Sequence, residues 1–326
     1  MFCLTSEKKK RGSISIAAAM LAVVIMMVIG ISMVGCSSGS GVEVKDSTEA
    51  YTWDELSKIS GEIAKASDES AAVEVAKKYH LTTADGKLDG TQTKSIELNN
   101  GTQTYVQIAG FYHDEKTNGS GKAGITFIFG DVIAAHAMNT ADTSNGGWEA
   151  SSMRSWLALD GMNMLPNDLK GLIVEVKKYT NNVGGSIGYD GDSSSITSTS
   201  DKLWLFSYME LCGAHASDSE DLLDEGAEDD VSVPWYALYE AEGQEYQLFR
   251  DLGVSPWSGD NQILCKPYEK DEFGYGDGPY AWWERTPYLG NYSEGTRFLN
   301  VTSEGDADGY LSADAYRVGV VPGFCI

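Results

Sequence analysis

The stretch SIELNNGTQTYVQIAGFYHD, residues 95–114, changes the period of the chain from helical to two-residue alternation. Ile96 and Leu98 alternate with polar neighbours on one side of Asn100-Gly101, and Val106 and Ile108 do so on the other. An Asn-Gly pair between two alternating runs predicts a β-hairpin, because glycine adopts the left-handed backbone that such a turn needs. GITFIF (124–129) and KLWLFS (202–207) are short apolar runs that read as further strands, as do YAWWER, RFLNVT and YRVGVVPGFCI in the last third. Between them, WEASSMRSWLA brings Trp148, Met153, Trp156 and Leu157 close to one helical face, and LPNDLKGLIVEVKKYT reads as a helical turn entering a strand. The overall pattern is a few regular elements carrying long Gly-, Tyr-, Asp- and Ser-rich stretches.

Upstream of the hairpin the spacing is helical. In TWDELSKISGEIAKAS, Thr52 and Glu55 form a capping box, followed by Leu56, Ile59 and Ile63 on one face. Ser67 is placed to cap a second helix with Ala72, Val75, Ala76 and Tyr79 on one side, and DGKLDG ends the pattern. The division expected is a flexible tether over 36–50, a helical stalk or packing element over 51–85, and a large α+β domain over 86–326.

The first 35 residues are of a different kind. KKKR (Lys8–Arg11) precedes an apolar run from Ile14 to Val34, an arrangement that keeps the N-terminus inside while the following chain is exported. Met33, Val34 and Gly35 before Cys36 resemble the recognition box of bacterial lipoprotein signal peptides, which implies a signal peptide over 1–35 and lipidation of Cys36. The alternative is an uncleaved signal anchor, since the run is about the 20 residues that span a bilayer. Either way the folded part is expected on the extracellular face of the cell membrane, with the membrane as partner through the anchor.

Residues 1–35 hold four of the 24 basic and one of the 48 acidic residues, which leaves 20 against 47 and a formal charge of -27 for the remainder. That surface repels phosphate backbones and argues against a nucleic-acid partner. Asp218–Asp230 alone holds eight acids and no base, and reads as a solvated insertion with the composition to attract calcium. EGDADG (304–309) imitates the start of a calcium loop, but its twelfth position is Ala315 where a glutamate is needed, so it reads as a turn. Neither a cofactor nor a metal is expected. Cys212, Cys265 and Cys325 allow at most one disulfide within the domain.

The order GGWEASSMRSWL, TSDKLWLFSYMEL, WWERTP and GVVPGF resembles an uncharacterised domain family of surface lipoproteins from Gram-positive anaerobes, over residues 51–326. It is also similar to the C-type-lectin fold as elaborated in formylglycine-generating enzymes, the sulfatase-modifying factors. That resemblance implies an α+β domain with little regular structure, in which a compact sheet and helices support long loops. The chain departs from it at Val321, where the related ending carries arginine, and it lacks the close pair of reactive cysteines that such enzymes use.

No motif for catalysis accompanies these segments. His80, His113, His136 and His215 fall in no zinc spacing, and no nucleophile elbow, phosphate loop or dinucleotide fingerprint occurs. In WWERTP, alternation puts Trp282 with Glu284 on one face and Trp283 with Arg285 on the other. Glu284 and Arg285 are expected to be structural, Arg285 tying down neighbouring loops. Tyr275, Tyr280, Tyr288 and Tyr292 flank the segment among small polar residues. Tyrosine and tryptophan with Gly, Ser and Asn make stiff contacts with adaptable hydrogen bonds, so Tyr275, Tyr280, Trp282, Trp283, Tyr288 and Tyr292 are the expected ligand contacts. The resulting expectation is a noncatalytic surface protein binding a glycan or protein, with an extracellular enzyme acting on envelope polymers and a purely structural lipoprotein as alternatives.

Overall fold

The computed structural model describes residues 40–182, 196–218, 236–257, 261–268, 278–289 and 295–326. These all belong to one compact unit, Ser37–Ile326. Cys36, Tyr275, Tyr292 and the acidic run beyond Asp218 lie outside the described residues.

Thr52 caps helix α1 (Trp53–Ile63), and the reciprocal bond from the Thr52 amide to Glu55 completes the box. Helix α2 (Glu69–Lys78) is capped by Asp68, to which Ser67 donates, so the expected cap shifts by one residue. Strands β1 (Thr93–Glu97) and β2 (Gln103–Phe111) form the hairpin. Gly101 sits at φ +82° and donates to Leu98, while Leu98 bonds Thr102, a three-residue loop closed by a left-handed glycine. β3 (Ile125–Phe129) is wholly buried, and β4 (Ala134–Ala135) is a short edge. Then come β5 (Val176–Asn181), β6 (Ile196–Asp201), β7 (Trp204–Leu205), β8 (Lys266–Pro267), β9 (Pro279–Tyr280), β10 (Trp282–Pro287), β11 (Arg297–Val301), β12 (Gly309–Ser312), β13 (Gly319–Val320) and β14 (Pro322–Cys325).

Two five-stranded sheets carry the core. One has the order β1-β2-β3-β14-β7 and is antiparallel throughout; the other has the order β12-β11-β10-β13-β4, with a single parallel pair, β10 beside β13. The terminal GVVPGFC crosses between them, with Gly319 and Val320 in one sheet and Pro322–Cys325 in the middle of the other. β5 and β6 make a separate hairpin, as do β8 and β9. The architecture is α+β, with several sheets and few long helices.

Helix α1 lies on the first sheet. Trp53 meets Phe127 edge-on at 5.6 Å and Phe324 at 6.2 Å, while Phe127 stacks on Phe324 at 5.3 Å. Ser60 Oγ donates to the Ile326 carbonyl and accepts from the Ile125 amide at 3.1 Å. The helices are therefore a packing element. The described chain before them, 40–50, is packed too, which corrects that part of the tether expected over 36–50: Val42 and Thr48 are buried, Ser40 bonds Tyr79, and Glu49 accepts from the Ser95 amide. Apolar and hydrogen-bonding groups in this segment find partners on α1, α2 and β1, so it does not behave as a spacer.

The closeness of α1 to β3 rests on Gly124. A Cβ there would lie 2.0 Å from the Ser60 carbonyl oxygen, a backbone atom that cannot swing away. Gly124→Ala is expected to lower the unfolding free energy by about 2 kcal/mol or more, in the range of core overpacking, as read from urea unfolding.

Candidate functional site

Strand β10 is the middle strand of its sheet, between β11 and β13, and both of its faces are covered. Alternation correctly separates Trp282 from Trp283, but neither face is solvent. Trp282, Trp283, Glu284 and Arg285 are each 0 % exposed, and Tyr280 and Tyr288 are 6 % and 1 % exposed. The Trp282 indole donates to the Leu264 carbonyl at 2.9 Å and the Trp283 indole to His136 at 2.8 Å. Tyr288 stacks on Tyr310 at 4.2 Å, and Tyr280 meets Tyr268 edge-on at 5.3 Å. The four described members of the expected contact set, Tyr280, Trp282, Trp283 and Tyr288, are thus core residues, which corrects their reading as ligand contacts. The other two, Tyr275 and Tyr292, lie outside the described residues.

Arg285 is the hub of this region. Its guanidinium donates to Glu210 through both terminal nitrogens (2.5 and 3.0 Å), to the carbonyls of Leu205 (2.9 Å) and Glu242 (2.6 Å), and to Tyr179 O from Nε and Nη2 (3.3 and 3.2 Å). The planar fork thereby joins β5, β7, the turn Tyr208–Cys212 and the end of the Tyr236–Glu240 helix. Glu210 also accepts from Lys178 Nζ at 2.9 Å and from the Ser207 amide, closing a second capping box.

Lys178 reaches the same place by strand alternation. In β5, Val176, Lys178 and Thr180 point inward, whereas Lys177 and Tyr179 point out. The ammonium of Lys178 has three acceptors, Asp114 Oδ1 at 2.5 Å, Tyr246 OH at 2.7 Å and Glu210, and it stands 4.3 Å from the centre of the Trp204 ring. Asp114 further accepts from Thr126 (2.6 Å) and from the Tyr246 hydroxyl (2.8 Å), and Cys325 Sγ lies 3.4 Å away. Burial alone would raise the Asp114 carboxyl, but Lys178 and His113 override it and hold it well below the usual range. Burial likewise opposes ionisation of Glu210, and Arg285 with Lys178 keeps it low.

Two other carboxyls behave in the opposite way. Glu242 accepts from the Asn181 amide and side chain through one oxygen and from Thr286 through the other, yet burial pushes it up to about 7. Among the described residues Glu284 has no hydrogen-bond partner for either oxygen, and burial, with Glu242 and Asp308 nearby, raises it well above the usual range.

A cleft of about 280 Å³ opens over this network. Its floor is Asp114, Lys178, Glu210 and Glu242; its mouth carries His113, Glu115, Lys122, Lys177, Tyr179 and Gln244. His113 stacks on Tyr246 at 3.8 Å and bonds the Gln244 carbonyl through Nε2 at 3.0 Å. Tyr179, 41 % exposed, also lines the cleft. Sequence reasoning missed Lys178 and Tyr179, although Val174 and Val176, four and two positions before Lys178, carried the signal for its inward face.

The domain of unknown function DUF6273 matches residues 123–326, well over half of the chain. The chain belongs to that family. The DUF6273 match begins just before β3, so β1, β2, α1 and α2 precede it while packing on the same sheet. It contains the whole of the Arg285 hub, together with Lys178, Glu210 and Glu242, but Asp114 and His113 are contributed from outside it. Searches of curated proteins and of solved structures returned no significant match. Among the described residues of the DUF6273 protein, no group of three or more His, Cys, Asp or Glu side chains is arranged to hold a metal ion. The EGDADG segment is a turn in which Thr302 bonds Asp306 and Gly305 donates to Thr302. Among the described residues, Cys212, Cys265 and Cys325 form no disulfide with one another.

Proposed function

We propose that the chain is a lipid-anchored protein of the extracellular membrane face whose DUF6273 domain binds a glycan or protein without chemical turnover. The carrying observation is that the ionic groups beneath the cleft are committed to one another: Lys178 has an acceptor for each of its three protons, and Arg285 bonds Glu210 and three carbonyls. Such a set holds shape and has no proton to lend. Ligand contact then falls to the mouth, where exposed Tyr179 stands beside Lys177. A stiff aromatic ring with charged and amide neighbours suits sugar or peptide recognition. The lectin-like, sulfatase-modifying-factor-like form of the fold belongs to this proposal, supported by the β-rich α+β core and by a C-terminal strand that enters the middle of a sheet. The anchor is supported by Lys8–Arg11, the apolar run to Val34, and Cys36.

The rival reading, an extracellular enzyme on envelope polymers, is favoured by one observation: Glu242 lines the cleft and is poised near neutrality. Its oxygens are already engaged by Asn181 and Thr286, which places it with the frame.

Two experiments test the proposal. Labelled fatty acid fed to cells should be incorporated into the protein and lost in Cys36→Ser; an unlabelled wild-type chain contradicts the anchor. The full chain in detergent should retain a ligand on glycan or protein arrays, at least tenfold less after Tyr179→Ala with Lys177→Ala. No retained ligand, or retention unchanged by the pair, contradicts the binding site.

A further inference from the structure

We propose that a second cavity, between the Asp89–Thr91 turn and the segment ending in Lys266, binds a small carboxylate-bearing ligand through ion pairing with Lys266. The site is separate from the cleft beside His113, so either can fail alone. The cavity has a volume of about 380 Å³, within the size that holds a small molecule.

Three lysines are buried among the described residues. Lys178 has two carboxylates and a hydroxyl, and Lys94 donates to the carbonyls of Glu49 and Tyr51. Among the described residues Lys266, 2 % exposed, makes one hydrogen bond, to Gln107 Oε1 at 2.9 Å, and has no carboxylate within salt-bridge distance. An ammonium carries three donors, so two directions have no acceptor among the described residues, and Lys266 lines the cavity. A buried cation so poorly paired is costly to the fold, and an anion delivered into the cavity supplies the missing partner.

Gln107 is fixed in its role, since its amide nitrogen donates to the Gly90 carbonyl and leaves the oxygen facing Lys266. Tyr105 adds a phenol to the lining, and Leu252 and Ile263 an apolar wall for the ligand's body. The charged and titratable neighbours are Asp89, Asp131, Cys265 and Tyr105. Asp89 Oδ1 is taken up by Thr91 and Gln92; Asp131 accepts from Thr104 and reaches Lys266 only through space; burial raises both the Cys265 thiol and the Tyr105 phenol, which keeps them neutral. Burial also lowers the Lys266 amine to about 8, so it is charged at neutral pH and loses its proton above that value.

The test is calorimetric titration of the full chain in detergent with galacturonate, N-acetylneuraminate and glutamate, with galactose as the uncharged control. Saturable binding of at least one carboxylate at pH 6.5 is expected, with none for galactose. Sugar acids alone would identify a glycan source, glutamate alone a peptide or amino-acid source. Affinity should fall at least tenfold at pH 9.5 and in Lys266→Met, and likewise in Gln262→Trp, which narrows the cavity from an exposed lining position and remains informative if the lysine variant does not fold. The proposal is overturned if no carboxylate binds, if galactose binds equally, or if the affinity is the same in the variants.

Discussion

Arg285→Met is expected to destabilise the domain by about 3–5 kcal/mol, the usual consequence of removing one member of a buried, hydrogen-bonded ion pair. The substitution leaves Glu210 with Lys178 as its one cation and strips donors from the carbonyls of Tyr179, Leu205 and Glu242. The carbonyls of Leu205 and Glu242 are interior, and no water replaces their lost bonds at the same geometry. Arg285→Lys should recover little, because a single ammonium cannot reproduce a fork that reaches four segments. Urea unfolding followed by tryptophan fluorescence measures the effect. A loss under about 1 kcal/mol would mean that the hub is not what holds β5, β7 and β10 together.

Glu284→Met should act in the other direction and stabilise the protein by about 1–3 kcal/mol at pH 8, since it removes a buried carboxyl that no described donor satisfies. The pH dependence fixes the sign. With a folded pKa above the unfolded value near 4.5, the folded state holds the Glu284 proton while the unfolded state releases it, so stability falls as pH rises from about 4.5. Glu242, raised to about 7, adds to that slope between about 4.5 and 7. Asp114 and Glu210 contribute oppositely: held low by Lys178 and Arg285, they lend stability above their unfolded values, and it is lost as pH falls through their folded ones. The thermal midpoint of the wild type should therefore decline from pH 5 to pH 8, and more shallowly in Glu284→Met. A variant that is less stable than wild type at pH 8 would show that Glu284 has an essential partner.

What could be read from the sequence was whatever short-range pattern determines. The hairpin around Asn100-Gly101, the Thr52–Glu55 cap and the buried run Ile125–Phe129 are local, and the structure has them where the periods put them. Alternation also separated the two faces of WWERTP. It could not tell that both faces are covered, because that depends on β13 arriving from about 35 residues later to make β10 a central strand. The aromatic residues nearby were read as contacts from a composition that interiors share with binding loops. The Asp114–Lys178–Glu210 cluster was equally out of reach, since its members come from widely separated elements and meet only through the tertiary fold. Lys178 was the exception, as its place in the alternation after Val174 and Val176 marks it as inward.

Physically, the domain separates two kinds of buried charge. Around Arg285 each cation meets anions and carbonyls at hydrogen-bond distance, a condition in which burial specifies one arrangement. At Lys266 and Glu284 that complement is missing, one beside a cavity and the other enclosed. The first kind is a frame, and Tyr179 and Lys177 stand on its rim.

The central claim, binding without turnover, is tested most directly by incubating the full chain with peptidoglycan and envelope polysaccharides and assaying both retained polymer and released fragments by mass spectrometry. Retention with no new fragments, unchanged in Glu242→Gln, is the expected result. Soluble products that accumulate with time and disappear in Glu242→Gln would contradict the account and assign the cleft to catalysis.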